Sequence, residues 1–212
     1  MDILKQIAEA LRQGEDESVL TLASQALASG IPPKSVLDDG LIAGMNVVGD
    51  QFRRREIFLP DVLLAARAMH AGLDVLKPHL SRNGVPSRGK VVLGSVRGDL
   101  HDIGKNLVAI MLQGAGFQVI DLGHDVSPEA FVDAAMDAGA SVIGMSALLT
   151  TTMARMKDVV ELLRQRGLAG TIRTIVGGAP VSAEFARAIG ADDYAFDAAD
   201  AVERVRGLIE AR

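Results

Sequence analysis

Cysteine is absent from this 212-residue chain, and aromatic residues make up only 3% of it. The absence of cysteine excludes disulfides, thiolate zinc sites and a cysteine nucleophile. So few aromatic rings leave little material for a platform on which bases stack. The formal net charge of −5 also argues against the basic face of a general nucleic-acid binder. We therefore expect no cysteine chemistry and no nucleic-acid partner.

Long hydrophobic runs are also missing. No stretch reaches the roughly 18 uninterrupted apolar residues of a membrane span, and the N-terminal stretch MDILKQIAEALRQGEDES carries charges throughout, unlike a signal peptide. Even so, 49% of the residues are hydrophobic, which is enough to bury a core. These observations predict a globular, cytoplasmic protein without membrane association.

The first part of the chain, residues 1–81, has hydrophobic residues at helical spacing. The apolar stripes of four successive segments are Ile3, Ile7 and Leu11; Leu20, Ala23 and Leu27; Leu37, Leu41, Met45, Val48 and Phe52; and Val62, Ala66, Met69, Leu73, Leu76 and Leu80. The third and fourth segments each begin beside proline, which the first turn of a helix tolerates. Short connections between four amphipathic helices predict an N-terminal four-helix bundle, a helical cap domain.

A polar stretch rich in Gly, Pro and Ser follows the helices, and we predict a linker over residues 82–89. In residues 90–212, short and mostly β-branched runs alternate with helical patterns. These runs are 90–96, 117–122, 141–145, 171–176 and 193–196. Such alternation predicts a doubly wound parallel sheet, and five strands favour the flavodoxin-like order 2-1-3-4-5. The predicted fold class is α/β.

Three polar or glycine-rich segments follow the first, third and fourth of these runs: RGDLHDIG (97–104), SALLTTT (146–152) and GGAP (177–180). In the predicted strand order, all three lie at the carboxyl edge of the sheet, where ligands of such folds bind. Each segment also has a purely structural explanation. The first fits a polar turn with Asp102 as a helix cap, the second fits a threonine N-cap cluster, and the third fits a tight turn.

Several familiar sites are not supported by these segments. No G-x-G-x-x-G and no Walker motif follows the first strand. A zinc site needs three or four protein ligands, whereas only His101 and neighbouring acids are available. A phosphate-receiving domain would carry a lysine after the fifth strand, where this chain has YAFDAAD. What remains is one histidine beside a carboxylate, which suffices as a metal ligand when a cofactor supplies the other ligands.

The spacing Asp99-x-His101-x-x-Gly104, followed by Ser146-x-Leu148 and then Gly177-Gly178, resembles the D-x-H-x-x-G, S-x-L and G-G motifs of cobalamin-binding domains. The longer strings GDLHDIGKN and SALLTTTM are similar to corrinoid proteins of methyltransferase systems and to the cobalamin module of methionine synthase. In the first half, GMNVVGDQF (44–52) and EIFLPDVLLAARAM (56–69) resemble the helical cap that precedes this module. The resemblance covers essentially the whole chain.

This resemblance implies a cofactor, cobalamin, as methylcobalamin or a related corrinoid, and a role for each matching residue. His101 would ligate the cobalt from the lower face in place of the cofactor's own base. Asp99 would hold the far ring nitrogen of His101, and Thr152 would hydrogen-bond to Asp99. The other residues implied to line the cofactor site are Gly98, Asp102, Gly104, Ser146, Leu148, Thr150, Gly177, Gly178 and Ala198, with Phe52 and Leu59 as an apolar pair over the upper face of the corrin.

The resemblance also implies a function. A corrinoid carrier accepts a methyl group from a donor-specific methyltransferase and passes it to an acceptor methyltransferase, in a Co(I)/methyl-Co(III) cycle maintained by a reductive activase. With no substrate-activating barrel in the chain, we expect a carrier subunit rather than a complete enzyme. Methanol, methylamines, betaines and methoxyaromatics all remain open as methyl donors. The alternatives are the cobalamin-binding subunit of a mutase, a cobalamin-dependent sensor or regulator, and a ligand-free interaction domain.

Overall fold

The computed structural model describes residues 2–79 and 87–211. It divides into two compact units: one holds the chain up to Ser87 together with Gly114–Gly116, and the other holds Arg88–Gln113 and Phe117–Arg212. Most of the predicted linker, as well as Leu80 of the last predicted helical stripe, lies outside the described residues.

The first unit is entirely helical in its described part, in agreement with the sequence pattern. Its elements are α1 (Ile3–Arg12), α2 (Asp16–Ala28), α3 (Pro33–Ser35), a π-helix (Val36–Ile42), α4 (Ala43–Arg53), α5 (Leu59–Leu76) and a 3-10 turn (Lys77–His79). Helix α1 packs against α2 and α4, and α2 packs against α5. The third predicted segment corresponds to α3, the π-helix and α4, which follow one another without a break.

The π-helix is a feature that the sequence pattern did not predict. It occupies Val36–Ile42, in the middle of a segment expected to be α-helical throughout. Gly40 lies inside it, where an added Cβ would come within 3.1 Å of the Ile7 side chain. Leu37, Leu41 and Met45 are all buried. Their two successive four-residue steps satisfy both a regular α-helix and a wider π-turn, so spacing alone could not distinguish them.

The predicted apolar stripe of α2 was wrong in one position. Leu20 is exposed, whereas Val19, Ala23 and Ala26 are buried. The buried residues follow the i, i+4, i+7 spacing of one helix face. Leucines surround this face on both sides, so hydrophobicity by itself did not mark which residues point inward.

The second unit is a five-stranded parallel sheet with the predicted order β2-β1-β3-β4-β5. The strands are β1 (Lys90–Ser95), β2 (Gln118–Asp121), β3 (Val142–Ser146), β4 (Arg173–Gly177) and β5 (Asp193–Ala195). The helices between and after them are α6 (Ile103–Gly114), α7 (Pro128–Ala138), α8 (Thr150–Met153), α9 (Arg155–Gln165), α10 (Ala183–Ile189) and α11 (Ala198–Glu210). Together with the helical first unit, this sheet confirms the predicted α/β fold class.

Strand bounds differ from the predicted ones by one or two residues. The first strand ends at Ser95, and Val96 makes only an isolated bridge to Val126. The third strand begins and ends one residue later than predicted, at Val142 and Ser146. Strand ends depend on pairing with a neighbour, which hydrophobicity does not report.

Local signals agree with the helix starts of this unit. Ser127 caps α7 by accepting the N–H of Ala130, with Pro128 in the first turn, as the sequence predicts.

The hydrophobic core of this unit is formed by side chains of β1, β3, α7 and α9 and includes Val92, Ile143, Phe131 and Met156. Burying side chains of this size stabilises the fold by about 1.5–3 kcal/mol each, which fixes the sheet that carries the site.

Candidate functional site

Four neighbouring strands end in register at the carboxyl edge of the sheet. Ser95 of β1 pairs with Ser146 of β3, Ser146 pairs with Gly177 of β4, and Gly177 pairs with Ala195 of β5. The three predicted segments begin in or directly after this row. The sequence expectation that they share one edge of the sheet is therefore confirmed.

Asp99 lies at the centre of the site and is completely buried. Its Oδ1 lies 2.9 Å from Nδ1 of His101 and accepts the main-chain N–H of His101 at 3.1 Å. Its Oδ2 accepts the hydroxyl of Thr152 at 2.6 Å and the N–H groups of Leu148 at 2.8 Å and Leu149 at 3.3 Å. One carboxylate thus connects the loop after β1 to the loop after β3.

These hydrogen bonds decide the charge of Asp99. Burial by itself raises the pKa of the carboxyl group, but the bonds from Thr152, Leu148 and His101 outweigh that effect and hold the pKa well below its usual range. An ionised carboxylate can only accept, so Nδ1 of His101 carries the proton in their shared bond. A neutral imidazole with its proton on Nδ1 has a free lone pair on Nε2, which is the form in which imidazole binds a metal.

The side chain of His101 is half exposed, at 50%, so its ring is accessible although its partner Asp99 is not. At the same edge of the sheet, the segments after β1, β3 and β5 present large apolar side chains to solvent. Their exposed fractions lie between 42% and 75%, and the residues are Leu100, Ile103, Leu148, Leu149 and Phe196. Several exposed apolar residues near one polar group are typical of a surface that a large ligand or partner covers.

Backbone geometry favours glycine at two positions of these loops. Gly178 has a φ of +121°, and a Cβ there would lie 1.9 Å from the carbonyl oxygen of Ala147, which no side chain permits. Gly98, directly before Asp99, has a φ of +84°. Gly104 differs from both, because an added Cβ would meet no atom within 4 Å. The space beside the first turn of α6 is therefore open.

Other predicted cofactor contacts lie along the same edge. Ser146 and Gly177 end their strands and are half-buried, while Thr150 is exposed at the start of α8. Ala198 is the first residue of α11 and only 6% exposed. Asp102 directly precedes α6, and its main-chain carbonyl accepts the N–H of Asn106 at 2.7 Å.

The predicted pair Phe52 and Leu59 belongs to the first unit. Phe52 is half-buried in the last turn of α4, and Leu59 is the exposed first residue of α5. Their role over the corrin stays a prediction.

The structural explanation for the threonine cluster was wrong. The N-cap of α8 is Leu149, so Thr150 and Thr152 lie inside the helix rather than at its cap. The hydroxyl of Thr152 contacts Oδ2 of Asp99 at 2.6 Å and the carbonyl of Leu149 at 3.0 Å. The hydroxyl of Thr152 therefore binds the carboxylate of Asp99 and does not cap the helix.

Two buried polar residues beside the site were missed by the sequence analysis. Ser95 is fully buried, and its hydroxyl donates to the main-chain carbonyl of His101 at 2.6 Å. The side chain of Lys105 is 1% exposed, and its ammonium contacts the carboxylate of Asp121 and the amide oxygen of Asn106. The available signal was a polar residue within an apolar pattern: Ser95 in KVVLGSV and Lys105 in IGKNLVAIM.

A cavity of about 710 Å³ lies beside Thr152 on the side of α7 and α9. Charged residues of both signs line it, including Arg97, Arg155 and Glu161. It touches Gly98 and Thr152, but its lining includes none of the predicted slot residues on β3, β4 or α6. It is therefore distinct from the predicted slot for the cofactor's tail.

A metal at this site would need ligands from outside the polypeptide. Over residues 2–79 and 87–211, no group of three or more His, Cys, Asp or Glu side chains converges on one point. Cobalamin brings a corrin that occupies most coordination positions of its cobalt, so one histidine suffices. The free Nε2 of His101, the open space beside Gly104 and the exposed apolar side chains all fit that group.

In the described part of the chain, no helix has both the length and the hydrophobicity that crossing a membrane requires.

Comparison with known proteins places these features in a family. A family model described as a B12 binding domain matches residues 89–206, and a second model of the same description matches residues 3–77. The chain is 42% identical to a corrinoid protein of Desulfitobacterium hafniense over 99% of its own length and 98% of that protein. It is 41% identical to trimethylamine corrinoid protein 1 of Methanosarcina mazei, over 98% and 97% of the two chains.

A solved structure agrees with these relatives. The crystal structure of a methanol:cobalamin methyltransferase complex from Methanosarcina barkeri matches with a TM-score of 0.90 and 33% identity, over 100% of this chain and 81% of the matched one. The chain therefore belongs to the family of B12-binding corrinoid proteins, and its cofactor is cobalamin.

Proposed function

We propose that this protein is a methyl carrier, which receives a methyl group from one methyltransferase and delivers it to another. The observation that carries the proposal is the geometry of His101, whose Nδ1 is held by a buried carboxylate while the ring remains half exposed. Bound cobalamin supplies a cobalt ion that accepts and releases the methyl group. Every other requirement has to be met by the residues around the cofactor.

In this proposal, His101 is the only protein ligand of the metal and binds through Nε2. Asp99 keeps the proton on Nδ1 and fixes the orientation of the ring. Thr152 and the N–H groups of Leu148 and Leu149 hold Asp99 ionised by donating to its second oxygen. A ring tethered in this way would stay near a bound metal after losing its bond to it, which would allow reversible ligation by His101.

The nucleotide tail of the cofactor is proposed to enter beside Gly104, where the structure leaves open space. Ser146, Gly177 and Gly178 would line this slot with small side chains or none. Leu148, Thr150 and Ala198 would contact the tail from the loop after β3 and from the first residues of α8 and α11. Gly98 and Asp102 flank the histidine loop and would contact the cofactor next to His101.

The proposed partners are a donor-side methyltransferase, an acceptor-side methyltransferase and a reductive activase. The relatives support the first two, since one is a trimethylamine corrinoid protein and another comes from a methanol:cobalamin methyltransferase complex. The match spans 97% of the trimethylamine corrinoid protein and 81% of the matched chain of the methanol:cobalamin methyltransferase complex. We expect the donor-side partner to determine which methylated compound is used.

The test begins with the apoprotein and hydroxocobalamin. We expect the protein to retain the cofactor through gel filtration and, after reduction, to accept a methyl group when mixed with a donor methyltransferase and its substrate, either trimethylamine or methanol. His101→Ala is expected to retain cofactor with an altered spectrum. His70→Ala is the matched control, because His70 is an exposed histidine in the other unit.

Two results would contradict the proposal at different points. Failure to retain any cobalamin would reject the carrier role altogether. Retention with the same spectrum in His101→Ala and in the parent protein would reject His101 as the axial ligand and leave methyl transfer standing. If cobalamin is retained but every donor methyltransferase fails to methylate it, the mutase-subunit and sensor alternatives become the better explanation.

A further inference from the structure

We propose that Ser95 is a positioning residue for the cobalt ligand, and that it holds the main chain of His101 through a second chain of hydrogen bonds. This chain runs from Ser95 through Gly123 to the ion pair between Asp121 and the buried Lys105. The inference rests on the proposed role of His101 as the axial ligand. It concerns the main-chain carbonyl of His101, whereas Asp99, held by Thr152, binds the ring and the main-chain N–H.

Ser95 is rigidly placed. It is the last residue of β1 and fully buried, and its N–H donates to the carbonyl of Gly123 at 2.9 Å. Its own carbonyl accepts the N–H of Val126 at 3.0 Å. With both main-chain groups engaged, the hydroxyl donates to the carbonyl of His101 at 2.6 Å. The strand therefore fixes the hydroxyl, and the hydroxyl fixes the histidine loop.

Lys105 closes the other end of the chain. Its buried ammonium lies in the first turn of α6, where the positive end of the helix dipole disfavours a cation. A buried cation is stable only when it is paired, and Nζ of Lys105 contacts Oδ1 of Asp121 at 2.7 Å and Oδ2 at 2.5 Å. The same Oδ1 accepts the N–H of Gly123 at 2.9 Å. The ion pair thus fixes the turn that holds Ser95.

The two chains of hydrogen bonds restrain different freedoms of His101. The bond from Nδ1 to Asp99 sets the rotation of the ring but leaves the main chain of the loop unrestrained on its other side. The bond from Ser95 to the carbonyl holds that other side. The position of Nε2 is defined only when both are present.

A loop already held in its binding conformation loses less entropy when the ligand bond forms. Removing one neutral hydrogen bond that supplies this order is expected to lower the ratio of ligated to unligated His101 about fivefold. If the hydroxyl merely filled space in the core, its removal would lower the stability of the apoprotein and leave that ratio unchanged. The ratio is therefore the measurement that separates the two roles.

The experiment uses the full chain loaded with cobalamin and reduced to the Co(II) state. Electron paramagnetic resonance reports a nitrogen ligand by its splitting, and labelling the protein with ¹⁵N-histidine changes a triplet to a doublet only when the nitrogen comes from histidine. The variants are Ser95→Ala, Ser95→Thr and Ser95→Val. Threonine and valine have the same shape and differ in the hydroxyl, which only threonine carries. Thermal unfolding of each apoprotein is measured alongside.

We expect Ser95→Thr to keep a ratio close to that of the parent protein, and Ser95→Val to fall about fivefold below Ser95→Thr. Ser95→Ala is expected to fall to a similar degree. Equal ratios in the threonine and valine variants would overturn the proposal, whatever the change in unfolding temperature. If the Ser95 variants do not fold, Asp121→Asn tests the same chain, because Asp121 is partly exposed and asparagine keeps the acceptor for Gly123.

Asp121→Asn is expected to lower the ratio in the same direction by weakening the pair with Lys105, and an unchanged ratio would overturn the part assigned to the ion pair. Failure of the underlying function gives a different result. If ¹⁵N labelling leaves the splitting of the parent protein unchanged, His101 is not the ligand. If labelling changes the splitting but Ser95→Val and Ser95→Thr agree, only the positioning role fails.

Discussion

The hydroxyl of Thr152 lies 2.6 Å from Oδ2 of Asp99, although the two residues are 53 positions apart in the chain. Asp99 follows β1 and Thr152 follows β3, so the contact exists only because these strands are neighbours in the sheet. A buried carboxylate that accepts five hydrogen bonds from two loops is an unusually rigid partner for the exposed ring of His101.

Replacing Asp99 with asparagine removes the charge and turns an NH₂ group toward other donors. Hydrogen bonds to a charged group contribute about 1.5–3 kcal/mol each, so we expect the free energy of unfolding of the apoprotein to fall by at least about 2 kcal/mol. Urea unfolding measures this loss. Asp137→Asn, at an exposed position of α7, is the control and should change the value by less than about 0.5 kcal/mol.

The low pKa of Asp99 predicts how the stability of the apoprotein depends on pH. A carboxyl group whose pKa is lower in the folded state contributes stability above its unfolded pKa, about 4, and that stability is lost as pH falls toward the folded pKa. The parent apoprotein should therefore become steadily less stable below about pH 4. In Asp99→Asn, the free energy of unfolding should depend less on pH in this acid range. If the free energy of unfolding changes with pH in the same way in both proteins, the prediction is wrong.

Thr152→Val keeps the shape of the side chain and removes the donor to Asp99. We expect it to destabilise the apoprotein by about 1.5–3 kcal/mol, because a buried, charged acceptor loses one partner. Thr152→Ser retains the hydroxyl and should recover most of that loss. Chemical unfolding of the three proteins measures both losses, and equal losses for serine and valine would mean that the hydroxyl of Thr152 contributes no more to stability than its methyl group.

Two glycine-to-alanine substitutions should have opposite effects. Gly178→Ala places a Cβ against the carbonyl of Ala147 at a positive φ, so it should destabilise the apoprotein by about 1–3 kcal/mol or more. Gly104→Ala meets no atom within 4 Å and lies in a helix, so apoprotein stability should hold or rise by up to about 1 kcal/mol.

The same Gly104→Ala variant should bind cobalamin about tenfold more weakly, because the methyl group takes space proposed for the nucleotide tail. Equilibrium titration of the apoprotein with hydroxocobalamin measures this change. Unchanged affinity in Gly104→Ala would place the tail elsewhere, and that result is independent of the outcome for Gly178→Ala.

The features that the sequence predicted are those encoded by local pattern. Alternation of apolar runs predicted five strands and their order, and the sequence position of Asp99, His101 and Thr152 placed them at one edge of the sheet. The π-helix escaped prediction because the spacing of Leu37 and Leu41 fits two helix types.

The roles of Ser95 and Lys105 were not predicted from the sequence for a different reason. Their roles depend on partners that the chain brings near only after folding, namely the carbonyl of His101 and the carboxylate of Asp121. A polar residue within an apolar pattern indicates a buried polar group, but it does not identify the partner of that group. The functional roles of all these residues stay predictions until the variants are measured.

The row that ends the four strands contains only small residues: Ser95, Ser146, Gly177 and Ala195. Side chains this short let the overlying loops descend close to the sheet, as the 2.6 Å contact beneath His101 illustrates. The size of these side chains thereby sets the height of the histidine above the sheet. A side chain longer than that of threonine in this row would push the loop away from the sheet, so the short side chains set the distance at which the ring can meet its metal.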